Sequence, residues 1–144
     1  MRFLLVDQSN LFHLKNFITN MGASSETFRY FSTRDPETAI ENHLLTILLV
    51  DEGESVAYGH LDKEGDTIWL GICVKGESRG KGYGKKMMEQ LVTTYPTIDI
   101  DLSVDASNSR AIGLYESFDF KKIRDKDDIV YMKRERLIDE ISSI

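Results

Sequence analysis

"VKGESRGKGYGKKMMEQLV", residues 74–92, decides how this chain is read. An apolar run, "DTIWLGICV" (66–74), leads into it, and a helical pattern with Met87, Met88, Leu91 and Val92 on one side leads out. Gly80, Gly82 and Gly84 fall where strand gives way to helix. The first turn of a helix presents four N–H groups without intrahelical partners, at the positive end of the helix dipole. Glycine lets an anion come close to that backbone. With Arg79, Lys81 and Lys85 interleaved, the loop has the makings of a phosphate cradle. Spacing excludes two common kinds. A Walker A loop needs Gly-x4-Gly-Lys-Ser/Thr. Counting back from Gly84-Lys85 reaches Arg79, and from Gly80-Lys81 reaches Lys75. A dinucleotide fingerprint needs Gly-x-Gly-x-x-Gly, and its last place holds Lys85 or Met87. A surface loop with incidental lysines is the plain alternative.

The charge distribution supports a small polyanionic ligand. The 144 residues carry 18 basic and 24 acidic side chains, a net −6. Residues 75–86 hold five of the basic groups against Glu77 alone, which leaves the other 132 residues with 13 basic against 23 acidic. An acidic protein with one basic patch is a poor candidate for nucleic-acid binding and a reasonable one for a site taking a small polyanion. The length suits a single domain spanning 1–144. Cys73, the one cysteine, has no internal partner, as befits a reducing compartment. No apolar run has the length of a membrane span, and the N-terminus lacks a signal-peptide core. A soluble cytoplasmic protein is the expectation, with no nucleic-acid, membrane or metal partner.

Working outward, "RFLLVD" (2–7) reads as a strand, and Ser9 or Asn10 as the cap of a helix with Leu11, Leu14, Ile18 and Met21 inward and Gly22 as its stop. Residues 23–34 carry no clear period. Asp35-Pro36 opens a helix to about His43. "LLTILLVDEGESVAYGHLD" (44–62) reads as a hairpin, with a second turn at Glu64-Gly65 before the 66–74 strand. Residues 81–94 form a helix closed by Pro96, "IDIDLSV" (98–104) a strand, and "NSRAIGLYESF" (108–118) a helix. "FKKIR" and "DIVYMKR" pair as final strands, followed by an amphipathic tail, "ERLIDEISSI". Strand–helix–strand across 67–104 implies a right-handed parallel crossover inside an otherwise hairpin-built, mixed sheet.

Two blocks then carry a resemblance. Residues 74–92 resemble the acyl-CoA signature of the GNAT superfamily of N-acetyltransferases, Arg/Gln-x-x-Gly-x-Gly/Ala, through Arg79, Gly82 and Gly84. "LSVDASNSRAIGLYESFDF" (102–120) is similar to the superfamily's second block through Asn108, Tyr115, Glu116 and Phe120, with Asp119 in place of the usual glycine. The resemblance covers about residues 45–133. It implies an α/β (α+β) GNAT fold, with a central mixed sheet of about six to seven strands flanked by about four helices. Acetyl-CoA is the implied cosubstrate, with an amine as acceptor.

The resemblance also implies roles. Ile72, Cys73 and Val74 offer backbone groups to the pantetheine and the acetyl carbonyl. Arg79, Gly80, Lys81, Gly82, Tyr83, Gly84 and Lys85 wrap the pyrophosphate, Asn108 contacts the pantetheine arm, and Tyr115 is the general acid that protonates the leaving thiolate. The amine must attack neutral although a free alkylamine has a pKa of about 10, so a base is expected. The ribosomal-protein N-terminal acetyltransferase branch has a Glu where this chain has Ser103, which argues against that branch's base and peptide substrate. His60, Asp62 and Asp105 are the candidates, with His60 put first and the two aspartates read as turn residues. Cys73 lies near the expected acetyl carbon, where a covalent route competes with a plain buried side chain. Tyr58 and Trp69 read as core or pocket wall. For the acceptor, "ETFRYFSTR" (26–34) suggests an anionic amine, and the acidic remainder suggests a cationic one. A non-catalytic acyl-CoA-binding module and a longer-chain acyltransferase stay open, as does a homodimer through the last strands and tail.

Overall fold

A computed structural model describes residues 1–137. The proposed tail falls largely on 138–144, outside the described residues. Seven strands form one sheet: β1 (Arg2–Leu5), β2 (His43–Asp51), β3 (Glu54–Glu64), β4 (Thr67–Val74), β5 (Ile100–Asp105), β6 (Lys121–Lys126) and β7 (Ile129–Arg134). Their spatial order is β1-β2-β3-β4-β5-β7-β6. Every neighbouring pair is antiparallel except β4 and β5. The helices are α1 (Leu11–Thr19), α2 (Pro36–Ala39), α3 (Tyr83–Thr94) and α4 (Ser109–Glu116). The mixed sheet and four helices match the expected architecture, and α3 supplies the β4-to-β5 crossover.

Side chains alternate across the sheet, so each strand feeds two cores. On one face Ala57, Leu61 and Leu102 pack under α3, whose Met87, Met88 and Leu91 are fully buried. On the other face Leu48, Tyr58 and Cys73 pack under α1, whose Leu14 and Phe17 are buried. Phe17 takes the inward place expected of Ile18, which is only half-buried, because the helix is rotated slightly from the expected register. Asn10 is the N-cap residue of α1, as expected, but makes no side-chain capping bond; the capping bonds lie one turn earlier, where Asp7 caps a 3-10 turn (Gln8–Asn10). Its carboxylate accepts from the Ser9 N–H (2.8 Å), and Asn10 returns its amide oxygen to the Asp7 N–H (2.8 Å). The helix opened by Pro36 is shorter than expected. It tightens into a 3-10 turn (Ile40–Asn42) and gives way to β2 at His43. Asp119 has φ of 69°, the left-handed geometry tolerated by Asp where a glycine is usual.

The feature that positions the site is the β4–β5 junction. Only Trp69↔Asp101 is in register between these strands. Beyond that pair they diverge, and a cleft opens at the C-terminal ends of β4 and β5, where α3 and α4 begin.

Candidate active site

The cleft has a volume of about 1020 Å³ and runs from the glycine loop, through the β4–β5 gap, to the face covered by residues 24–34. Its edge is the backbone of β4. The Lys75 N–H donates to the Val56 carbonyl (2.9 Å), and Cys73 is in register with Tyr58. Backbone direction alternates along a strand. The polar groups of Cys73 therefore turn toward β3, and those of Ile72 and Val74 toward the gap. Ser24 Oγ donates to the Val74 carbonyl (2.5 Å), which leaves the Val74 N–H as the free group at the mouth of the gap.

At one end lies the loop. Gly80 and Gly82 have φ of 82° and 83°, with open space where a side chain would begin. An L-residue at either position would be strained. Gly82 is the N-cap of α3, whose first backbone bond runs from the Lys86 N–H to the Gly82 carbonyl, leaving the preceding amides to face a ligand. Tyr83 anchors this turn by donating its hydroxyl to Asp51 at the end of β2 (2.5 Å). At Gly84 a Cβ would make ordinary contacts, with Leu114 at 3.4 Å and Val74 at 3.6 Å. Arg79 and Lys85 line this end, and Arg110, on the first turn of α4, joins them. Lys81 does not line the cleft.

In the middle stand Asn108 and Tyr115. Asn108 caps α4, its amide oxygen accepting from the Ala111 N–H (3.2 Å), which leaves its amide N–H groups available. Tyr115 is buried, and burial raises its phenol to about 12, with the neighbouring Cys73 thiol a smaller cause. Its hydroxyl makes no hydrogen bond among the described residues, so it is a protonated donor facing the cleft. The Cys73 side chain points to the α1 core, with Sγ 3.8 Å from Met21 Sδ. Burial raises its thiol to about 12. A thiol that stays protonated is a weak nucleophile.

The far end is built on alternate residues of β3. Tyr58, His60 and Asp62 share one face. The Tyr58 hydroxyl lies 2.6 Å from His60 Nδ1 and has no other partner among the described residues. Its proton therefore goes to Nδ1, and the cleft-side Nε2 carries hydrogen. Burial, followed by the fields of His43 and Arg34, pushes His60 well below the ordinary imidazole range, so it is neutral. Its ring lies against Gly71, where a Cβ would sit 2.4 Å from both Cε1 and Nε2. Asp62 is mid-strand rather than in a turn and is 6% exposed. Tyr30 donates to its Oδ2 (2.8 Å), and His43 Nε2 lies 2.8 Å from the same hydroxyl. The Tyr30 proton is committed to the carboxylate, so His43 donates from Nε2, and its Nδ1 accepts from Thr46 Oγ1 (2.8 Å). These donors run in one direction, toward Asp62. Asp105, at the end of β5, is held by two N–H groups of Arg29 (3.0 and 3.3 Å). Trp69 and Tyr131 complete the wall, edge to face at 6.3 Å.

A model of the acetyltransferase (GNAT) family matches residues 10–120. The chain belongs to the GNAT acetyltransferase family. No curated protein matches the sequence. Among solved structures it is similar in fold to the ribosomal-protein-S18-alanine N-acetyltransferase of Escherichia coli, at 19% identity over 96% of each chain and a TM-score of 0.70. It is also similar to a GNAT acetyltransferase of Streptococcus pneumoniae, at 14% identity over 94% of this chain and 100% of that one and a TM-score of 0.74. The yncA protein of Salmonella typhimurium, solved with its cofactor acetyl-CoA, shares 14% identity over 96% and 95% of the chains at a TM-score of 0.72. GNAT enzymes use acetyl-CoA, and this cleft fits it. Gly80 and Gly82, at positive φ, leave the helix-start amides bare of side chains, and the edge of β4 runs alongside the gap beyond the Trp69–Asp101 pair.

Of the expected site residues, Tyr115, His60, Ile72, Cys73, Val74, Arg79, Gly80, Gly82, Tyr83, Gly84, Lys85 and Asn108 all line this one cleft. Cys73 lines it with its backbone committed to β3, and Lys81 lies off it. Sequence reasoning missed Tyr30 as a partner of Asp62, Ser24 as the partner of Val74, and Arg110. The first two sit in 3-10 turns at Gly22–Glu26 and Tyr30–Ser32, which carry no periodic signal. Arg110 could have been found, two residues after Asn108. Among the described residues no helix is long and apolar enough to cross a membrane, and no cluster of side chains could hold a metal ion.

Proposed function

We propose that the protein is an N-acetyltransferase that moves the acetyl group of acetyl-CoA directly to an amine held in the same cleft. The observation that carries this reading is the continuity of the cleft. The glycine loop, the free edge of β4, the Tyr115 hydroxyl and the Asp62 carboxylate open onto one space.

Bound acetyl-CoA supplies a thioester that an amine nitrogen attacks, with coenzyme A leaving as a thiolate. The backbone amides from Gly82 to Lys85, with Arg79, Lys85 and Arg110, neutralise its phosphates. Ile72 and Val74 would orient its extended arm along β4, and the Val74 N–H would supply a donor for an acyl oxygen, where a preorganised dipole is worth most. Tyr115 holds its proton at Oη for the departing sulfur. For the proton that the ammonium must lose, the hydrogen-bond directions favour Asp62 over His60. His60 presents N–H to the cleft, whereas Asp62 presents acceptor oxygens, one of them held by the Tyr30 hydroxyl. Direct transfer needs no covalent step on Cys73, whose thiol points away from the gap.

Calorimetric titration with acetyl-CoA, against ATP and NAD as controls, tests the cradle. Thiol release in an amine screen tests transfer. Asp62→Asn should keep acetyl-CoA affinity and lose about 10²-fold or more in kcat/KM. Acetyl-CoA binding without transfer to any amine would favour a non-catalytic acyl-CoA-binding module, and no binding at all would refute both.

A further inference from the structure

The acceptor end of the cleft holds charges of both signs that do not neutralise one another. Asp62 is 6% exposed and meets no cation among the described residues; the Tyr30 hydroxyl is its one hydrogen-bond partner there. A buried carboxylate without a counter-charge is costly, and an ammonium arriving beside it removes that cost. The neighbouring cation is Arg34, and it is held elsewhere. Its guanidinium lies 4.2 Å from the centre of the Tyr30 ring and donates to the Tyr30 carbonyl (3.1 Å). It forms no ion pair among the described residues. Across the cleft Arg124 is placed likewise, 4.1 Å over Tyr131 and without a carboxylate. A guanidinium stacked by its flat face keeps its uncommitted N–H groups for a planar anion; Arg34 commits only Nη1, to the Tyr30 carbonyl. Arg29 is the contrasting case, since Asp105 already consumes its fork.

We infer that the acceptor is a small amine that carries its own anionic group, a carboxylate or a phosphate, with its ammonium at Asp62 and its anion on Arg34, backed by Arg124. This rests on the acetyl-transfer reading above and names the class of its second substrate. The chain between the two charges lies on the Trp69 face, which is half-buried and cross-strand from Asp62. A polyamine would set its second ammonium against Arg34, though Glu64, which also lines this end, makes it the proper rival. A purely anionic ligand would meet the buried carboxylate of Asp62.

The test is a thiol-release screen with matched pairs: each α-amino acid with its carboxamide, β-alanine with propylamine, phosphoethanolamine with ethanolamine, and spermidine alone. The expected result is that one anion-bearing member exceeds its neutral mate by about 10- to 150-fold in kcat/KM, the worth of one charge-assisted hydrogen bond. The carboxylate and phosphate arms tell the two anions apart. In Arg34→Gln, an exposed position where folding is not at stake, that ratio should collapse toward one, and Arg34→Lys should restore part of it. Transfer in which neutral mates or spermidine are preferred overturns the inference and leaves the acetyltransferase standing. An unchanged ratio in Arg34→Gln also overturns it. Acetyl-CoA binding with no amine acetylated refutes the transfer reading, and this inference falls with it.

Discussion

Gly71→Ala should damage this protein in a way that only His60 explains. A Cβ on residue 71 would stand 2.4 Å from His60 Cε1 and Nε2 and 3.0 Å from Nδ1. The obstacle is a rigid ring, 2% exposed, pinned at Nδ1 by the Tyr58 hydroxyl. The ring cannot swing aside without breaking that bond. Tyr58 is fully buried, so its hydroxyl would be left without a partner. Overpacking costs about 1–3 kcal/mol, and a stranded buried donor about 1–3 kcal/mol more. The expected loss is therefore about 2–6 kcal/mol. At roughly 3 °C per kcal/mol for a chain of this size, that is a drop of about 6–18 °C in Tm. The assay is a double-mutant cycle with His60→Ala, read by thermal melts and by urea denaturation. Without the ring, the alanine at 71 should cost less than about 1 kcal/mol, so the coupling energy carries most of the effect. A Gly71→Ala variant that melts within about 2 °C of the parent would refute the reasoning, as would an equal loss in both backgrounds.

Three further outcomes are expected. Tyr115→Phe should lower kcat by about 10²–10⁴-fold while leaving acetyl-CoA affinity unchanged by calorimetry; with the phenol held near 12, the wild-type rate should show no basic limb from this group below about pH 11. Gly82→Ala, forced to keep φ of 83°, should cost about 1–2 kcal/mol by urea denaturation and weaken acetyl-CoA binding, whereas Gly84→Ala, where a Cβ finds contacts of 3.4 and 3.6 Å, should cost the fold less. His43 is pushed down from 6.5 to about 4, chiefly by burial. The unfolded chain therefore takes up its proton first as pH falls. The fold should keep this contribution above about pH 6.5 and lose up to about 3 kcal/mol by pH 4, visible in urea melts across that range and flattened in His43→Gln.

The legible part of this molecule was local. The hairpin signal in 44–62, both-parity apolarity in 66–74 and the inward side of α3 announce themselves because turn signals and strand and helix periods depend only on neighbouring residues. The loop was equally readable at Gly80 and Gly82, since positive φ selects glycine whatever surrounds it. What failed was equally specific. Asp7 was missed as a cap because a 3-10 turn intervenes before α1. The second helix was drawn too long because tertiary pairing pulls His43 into β2, in register with Asp62. Asp62 was read as a turn residue although β3 runs on to Glu64.

The sequence by itself determined the order of elements, the crossover between β4 and β5, and the glycine loop at the start of α3, since each depends on residues adjacent in the chain and on their period. Only the tertiary structure decided the chemistry at the other end. Tyr30 meets Asp62 across 32 positions, and Arg29 meets Asp105 across 76. The direction of each hydrogen bond there depends on which partners remain for Tyr58 and Tyr30 once the core has closed. Long-range packing places those partners, and no local period records it.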